Sequence, residues 1–149
     1  MNSLSIKTKF GWISAFEQRN KIVEVKFEKH KNISVSKNLK KFRNNLINFL
    51  NRKNNTFESD FFIEGNAIQK KVWKELTRIK LGKTKSYGEI AKKFKLSPRH
   101  VGKICGQNKI PLVIPCHRVI RSDGTMGGFS APGGISLKKK LLSFENSWK

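Results

Sequence analysis

Two helix-start signals follow one another closely in the second half of the chain, and they restrict its fold more than any other feature. Ser86-Tyr87-Gly88-Glu89 is a capping box, in which the serine hydroxyl and the glutamate carboxylate each accept from the other's backbone amide. A helix opened there turns Ile90, Ala91 and Phe94 inward and soon meets Ser97-Pro98, an N-cap followed by proline at the first helical position. The next helix buries Val101, Ile104 and Cys105. Two short helices joined by a tight turn make a helix-turn-helix, whose second member can lie along a DNA groove and here shows Arg99, His100 and Lys103 outward. An ordinary helical corner with solvated charges has the same spacing. Charge favours the first reading: 32 Lys and Arg stand against 10 Asp and Glu, a net +22, and such a surface gains free energy by releasing counterions from a phosphate backbone.

The rest of the chain is α/β in pattern, of the α+β kind. From Ile6 to Phe27 near-alternating apolar residues predict a short antiparallel ribbon, and Leu39, Phe42, Leu46, Phe49 and Leu50 predict a helix over Asn38 to Asn51. Asn54 to Asp60 breaks all periodicity and reads as a linker. Asn66 caps a helix with the stripe Ile68, Val72, Trp73, Leu76 and Ile79, and Gly82 stands where its C-terminal cap would be. Pro111 to Pro115 reads as a rigid buried element, Gly124 to Gly134 as a glycine-rich loop, and a last helix from about Ser136 carries Leu137, Leu141, Leu142 and Phe144. The expected organisation is an N-terminal α/β structural domain over 1–62, a small sheet plus a helix. A mainly helical, winged helix-turn-helix-like domain follows over 63–149. No stretch approaches the ~20 apolar residues of a membrane span, and Cys105 and Cys116 are free thiols suited to a reducing interior, with no metal motif. The expected location is the cytoplasm, or the nucleus in a eukaryote.

Cys116 is the residue with chemistry to offer. A cysteine is a strong nucleophile only as its thiolate, which a neighbouring base or cation favours. His117 and Arg118 are the nearest by sequence, but in an extended segment adjacent side chains face opposite ways, so His117 would act through a bridging water or after a local turn. Glu145 lies four residues after Leu141, on the apolar face of the last helix and near its C-terminus, where the dipole disfavours a carboxylate. Partnership with His117 would explain that position, as in a catalytic triad; a solvated glutamate on a fraying turn would explain it too.

At this point several motifs agree in order and spacing. Pro115-Cys116-His117-Arg118-Val119, with Ser86 to Ala91, Ser97-Pro98-Arg99, Val101-Gly102, Asn108, Pro111 and Gly127-Gly128-Phe129-Ser130, resembles the O6-alkylguanine-DNA alkyltransferase family over about Asn66 to Glu145. The resemblance implies single-turnover repair of O6-alkylguanine in double-stranded DNA, with O4-alkylthymine as a further substrate class, by a cofactor-free monomer. It implies that Cys116 accepts the alkyl group, that His117 and Glu145 activate it through water, and that Asn108 ties the recognition helix to the active-site turn. Tyr87 would promote nucleotide rotation and protonate the departing guanine. Arg99 would enter the duplex, with Gly88, Pro98, His100, Gly102, Lys103 and Ser122 completing the DNA-contacting set. Pro111, Val119, Phe129 and Ser130 would line the pocket.

The match has departures. Phe129 stands where many relatives have tyrosine, Lys103 and Gly106 alter the recognition helix, and the first sixty or so residues are shorter than usual and lack zinc ligands. A relative that binds lesions without repairing them would lack Cys116. A winged-helix transcription factor would not need Pro-Cys-His-Arg or a glycine-rich pocket loop, and a Cys-His hydrolase would turn over repeatedly without DNA.

Overall fold

Asn2–Thr8 (β1), Gly11–Gln18 (β2) and Lys21–Lys26 (β3) form an antiparallel sheet in that order in the computed structural model, which describes residues 1–129 and 133–148. The chain divides into two compact units, Met1–Ile63 and Glu64–Lys149. In the first, the ribbon expected over Ile6 to Phe27 forms as three strands, with Arg19 and Asn20 both at positive φ, the geometry of a tight hairpin turn, between β2 and β3. Lys37–Leu50 (α1) is capped by Ser36 and lies on the sheet, burying Leu39, Phe42, Leu46 and Phe49.

The expected linker at Asn54 to Asp60 is corrected here. Phe57 packs on Phe42 and Phe49, Asn45 holds the Glu58 amide at 2.8 Å, and Ile22 pairs with Phe61. The segment is an irregular wall of the first core, fixed by contacts distant in sequence.

The second unit runs Ala67–Leu76 (α2), Lys85–Ser86 (β4), Tyr87–Phe94 (α3), Pro98–Gly106 (α4), a 3₁₀ turn at Cys116–Arg118, Val119–Ile120 (β5) and Gly134–Ser147 (α5). Each of its first helices starts on the expected cap. Asn66 pairs reciprocally with Gln69, Ser86 with Glu89, and Ser97 accepts from the His100 amide ahead of Pro98. α2 stops at Leu76, earlier than the apolar stripe implied, and Gly82 takes its positive φ in the following turn. α5 starts at Gly134, slightly before Ser136. Trp73 ties α2 to α4 by donating to the Ile104 carbonyl at 3.0 Å. The two-residue strands β4 and β5 pair in parallel, which joins the start of α3 to the end of the 3₁₀ turn.

Candidate active site

The 3₁₀ turn that opens at Cys116 decides the local geometry. Because the chain turns instead of extending, His117 and Arg118 both reach α5 while Cys116 lines a cavity of about 720 Å³. Ahead of it, Ile110 to Ile114 folds back on itself, with the Ile114 amide donating to the Ile110 carbonyl at 3.0 Å and Leu112 held at φ +73°. Asn108 braces that loop, donating to the Ile114 carbonyl at 2.9 Å and accepting from the Ile110 amide at 3.0 Å. Its amide also lies close enough to the Cys116 sulfur to favour the thiolate.

On the α5 side of the turn the polar groups form a closed set. His117 Nε2 is 2.8 Å from Glu145 Oε2, while Arg118 grips the same carboxylate through Nε at 2.8 Å and Nη2 at 2.9 Å, and donates to the Ile79 carbonyl at 2.7 Å. His117 and Glu145 are 0% and 1% exposed. Burial opposes the Glu145 charge, but His117 and Arg118 more than offset it and hold its pKa down at about 2. A carboxylate only accepts, so Nε2 carries a proton, and in the neutral ring Nδ1 keeps the lone pair. Nδ1 is buried and has no protein partner. Arg118, one of the two candidates nearest to Cys116 in sequence, is therefore spent on Glu145.

On the cavity side lie Cys116 and Tyr87, with Lys138 of α5. Burial pushes the Cys116 thiol up, against Asn108, Lys138 and the backbone amides of Cys116 and His117, which favour the thiolate. Burial and the two nearby thiols push Tyr87 up to about 12. Lys138 is 0% exposed and donates from Nζ to the Tyr87 hydroxyl at 3.2 Å. A Cβ added at Gly127 would collide with that hydroxyl, so only glycine allows the loop to come this close.

The cavity wall unites most of the residues singled out in the sequence. Pro98, Arg99 and Gly102 come from α4, Ser122 from the turn after β5 and Phe129 from the glycine-rich loop, together with Tyr87 and Cys116. Arg99, His100 and Lys103 are exposed along α4, and Gly88 abuts Ser122. Pro111 and Val119 do not line the wall: Pro111 is consumed in the folded-back loop and Val119 in the β4–β5 pair, 0% exposed. Ser130 lies outside the described residues. Cys105 and Arg121 also line the cavity and were not expected there. Lys138 was missed as well, although its spacing from Glu145, two helical turns, put both on one face of α5.

Similarity to known proteins is found over both units. A family model described as 6-O-methylguanine DNA methyltransferase, DNA binding domain, matches residues 67–147. The methylated-DNA–protein-cysteine methyltransferase of Sulfolobus acidocaldarius is 49% identical over 86 residues, covering 58% of this chain and 52% of that protein. Its counterpart in Candida glabrata is 34% identical over 143 residues, covering 91% and 68%. The match thus spans about half the length of the Sulfolobus relative, 52%. The crystal structure of Mycobacterium tuberculosis O6-methylguanine methyltransferase superposes with a TM-score of 0.85 at 26% identity, covering 99% of this chain and 94% of that one. The same organism's OGT in complex with DNA gives 0.84 at 26% identity and the same coverage.

Proposed function

This chain belongs to the 6-O-methylguanine DNA methyltransferase family, and from that premise we propose that it repairs O6-alkylguanine in duplex DNA by irreversible transfer of the alkyl group to Cys116. The observation that carries the reading is the shared cavity: Cys116 and Arg99 line the same space of about 720 Å³. That space suits a single base turned out of the helix.

A duplex hides guanine O6, so the base must leave the stack at a cost of a few kcal/mol, part of which an inserted side chain restores. Arg99, exposed at the N-terminal end of α4, is the side chain for that insertion. Lys103 and His100 on the same exposed face, within a chain of net +22, supply sequence-independent affinity for phosphates. The extruded base brings its alkyl carbon to the sulfur. His117 Nδ1, kept basic by the carboxylate on the opposite nitrogen, takes the thiol proton through a bridging water. Tyr87 protonates the ring as the C–O bond breaks. The thioether so formed has no hydrolytic exit, so each molecule acts once. O4-alkylthymine presents the same reacting group and is a second substrate class for the same cavity. The free thiols Cys105 and Cys116 fit a reducing compartment, cytoplasm or nucleus.

The test is stoichiometric. Incubated with excess O6-methylguanine duplex, the protein should gain one methyl group by intact mass and no more, and Cys116→Ala should still bind DNA but gain none. Continued demethylation beyond one equivalent, or methyl uptake by Cys116→Ala, would overturn the proposal.

A further inference from the structure

Arg121 lines the cavity, yet its exposed side chain has no partner there. It follows β5 and opens a turn closed by its own backbone: the Arg121 amide donates to the Thr125 carbonyl and the Gly124 amide to the Arg121 carbonyl, both at 2.9 Å. Gly124 supplies the positive φ of +86° within that turn. Asp123, the acid of the turn, accepts from the Thr125 amide at 2.9 Å and from its hydroxyl at 2.7 Å. Among the described residues no carboxylate comes within ion-pair distance of Arg121, and no Asp or Glu lines the cavity.

The surroundings add to this positive field. Arg99 lines the same space, and Lys138 stands 3.2 Å from the Tyr87 hydroxyl. Burial dominates the ionisation of both Tyr87 and Lys138, and Arg121 bears on each, favouring the phenolate and opposing the ammonium. Its guanidinium is therefore directed at the Tyr87 side of the cavity. Like charges gathered without a counter-charge repel one another until an anion arrives. Guanine and its alkyl group are uncharged, so the anions that an O6-alkylguanine nucleotide brings with it are its phosphodiesters.

On the alkyl-transfer reading as premise, we infer that Arg121 binds a phosphate flanking the lesion and holds the extruded nucleotide by its backbone, while Arg99 fills the place the base has left. A guanidinium presents paired N–H donors that match two phosphate oxygens, which fixes orientation as well as charge. The two arginines then have separable duties. That of Arg99 exists only where a base stack has been opened. That of Arg121 exists wherever the lesion carries its own phosphates, in a duplex or in a single strand. Arg121 is thus a positioning residue, which acts on the reacting carbon only through the nucleotide it holds.

Single-turnover methyl transfer at subsaturating DNA tests this on duplex O6-methylguanine, on the single strand, and on duplexes in which the 5′ or the 3′ phosphate of the lesion is a neutral methylphosphonate. Arg121→Gln should slow transfer about tenfold to a hundredfold on duplex and single strand alike, whereas the loss in Arg99→Ala should shrink on the single strand. The parent should lose a similar factor at one of the two neutral phosphates, where Arg121→Gln loses nothing further. Arg121→Lys, which keeps the charge without the fork, should fall between. Because Arg121 is exposed, Arg121→Gln should melt with the parent. Losses that multiply at both neutral phosphates, a loss confined to the duplex, or a lowered melting temperature would each overturn the inference. A parent that takes up no methyl group removes the premise and the inference with it; an active parent matched by Arg121→Gln removes the inference alone.

Discussion

On one side of the Cys116–Arg118 turn, Glu145, Arg118 and His117 Nε2 satisfy one another through bonds of 2.8 to 2.9 Å in a place closed to water. On the other, Cys116 and Lys138 are also buried, and their links are one 3.2 Å bond to a half-buried tyrosine and, at the sulfur, the Asn108 amide with the backbone amides of Cys116 and His117. The first set is a clamp that fixes the turn and the imidazole tautomer. The second holds the nucleophile and the tyrosine hydroxyl on the wall of the cavity, where a ligand can meet them. Such a division, rigid support behind and buried ionisable groups beside a cavity in front, is how a fold gives up stability for reactivity.

The comparison breaks first at Glu145. Replacing it by alanine strands Arg118 and His117 in the interior, and we expect a loss of about 3–5 kcal/mol in chemical denaturation together with loss of methyl transfer. A loss below 1 kcal/mol would show that the clamp is not a clamp. Gly127→Ala acts on the opposite side, forcing the loop off the Tyr87 hydroxyl; about 1–3 kcal/mol is expected, with transfer falling more steeply than stability. Tyr87→Phe should sharpen the contrast, leaving stability within about 1 kcal/mol while slowing transfer roughly a hundredfold.

The smallest effect is one of pH. Glu145 has a folded pKa of about 2, below its ordinary 4.5, so its contribution is complete above the ordinary value and is lost as pH falls toward 2. Acid unfolding followed over that window should show a stability decrement that Glu145→Gln lacks.

What was legible in the sequence was local. Asn66, Ser86 with Glu89, and Ser97 with Pro98 announce helices because capping is settled within a few residues. The Glu145–His117 link could be argued because a carboxylate on an apolar helix face requires a partner. The wall formed around Phe57 was misread as a linker because nothing local marks it; Phe42 and Phe49, distant in sequence, give that ring a place. β4 and β5 are too short to carry a period. Arg118 was a candidate to favour the thiolate only by proximity in sequence, and the 3₁₀ turn carries it to Glu145. Lys138 escaped notice because a lysine is ordinarily read as surface, although it shares a helical face with Glu145.

Two thiols line one cavity, and the account depends on their being unequal. Cys105 is pushed up to about 12 by burial and by Cys116, with only Lys138 and its own backbone amide to favour its thiolate, whereas Cys116 also has Asn108 and two backbone amides in its support. The most direct measurement is therefore peptide mapping by mass after reaction with excess O6-methylguanine duplex. The account predicts one methyl group, on the peptide containing Cys116, with the Cys105 peptide unchanged; a methyl group on Cys105, or none on Cys116 after the lesion has been consumed, would contradict it.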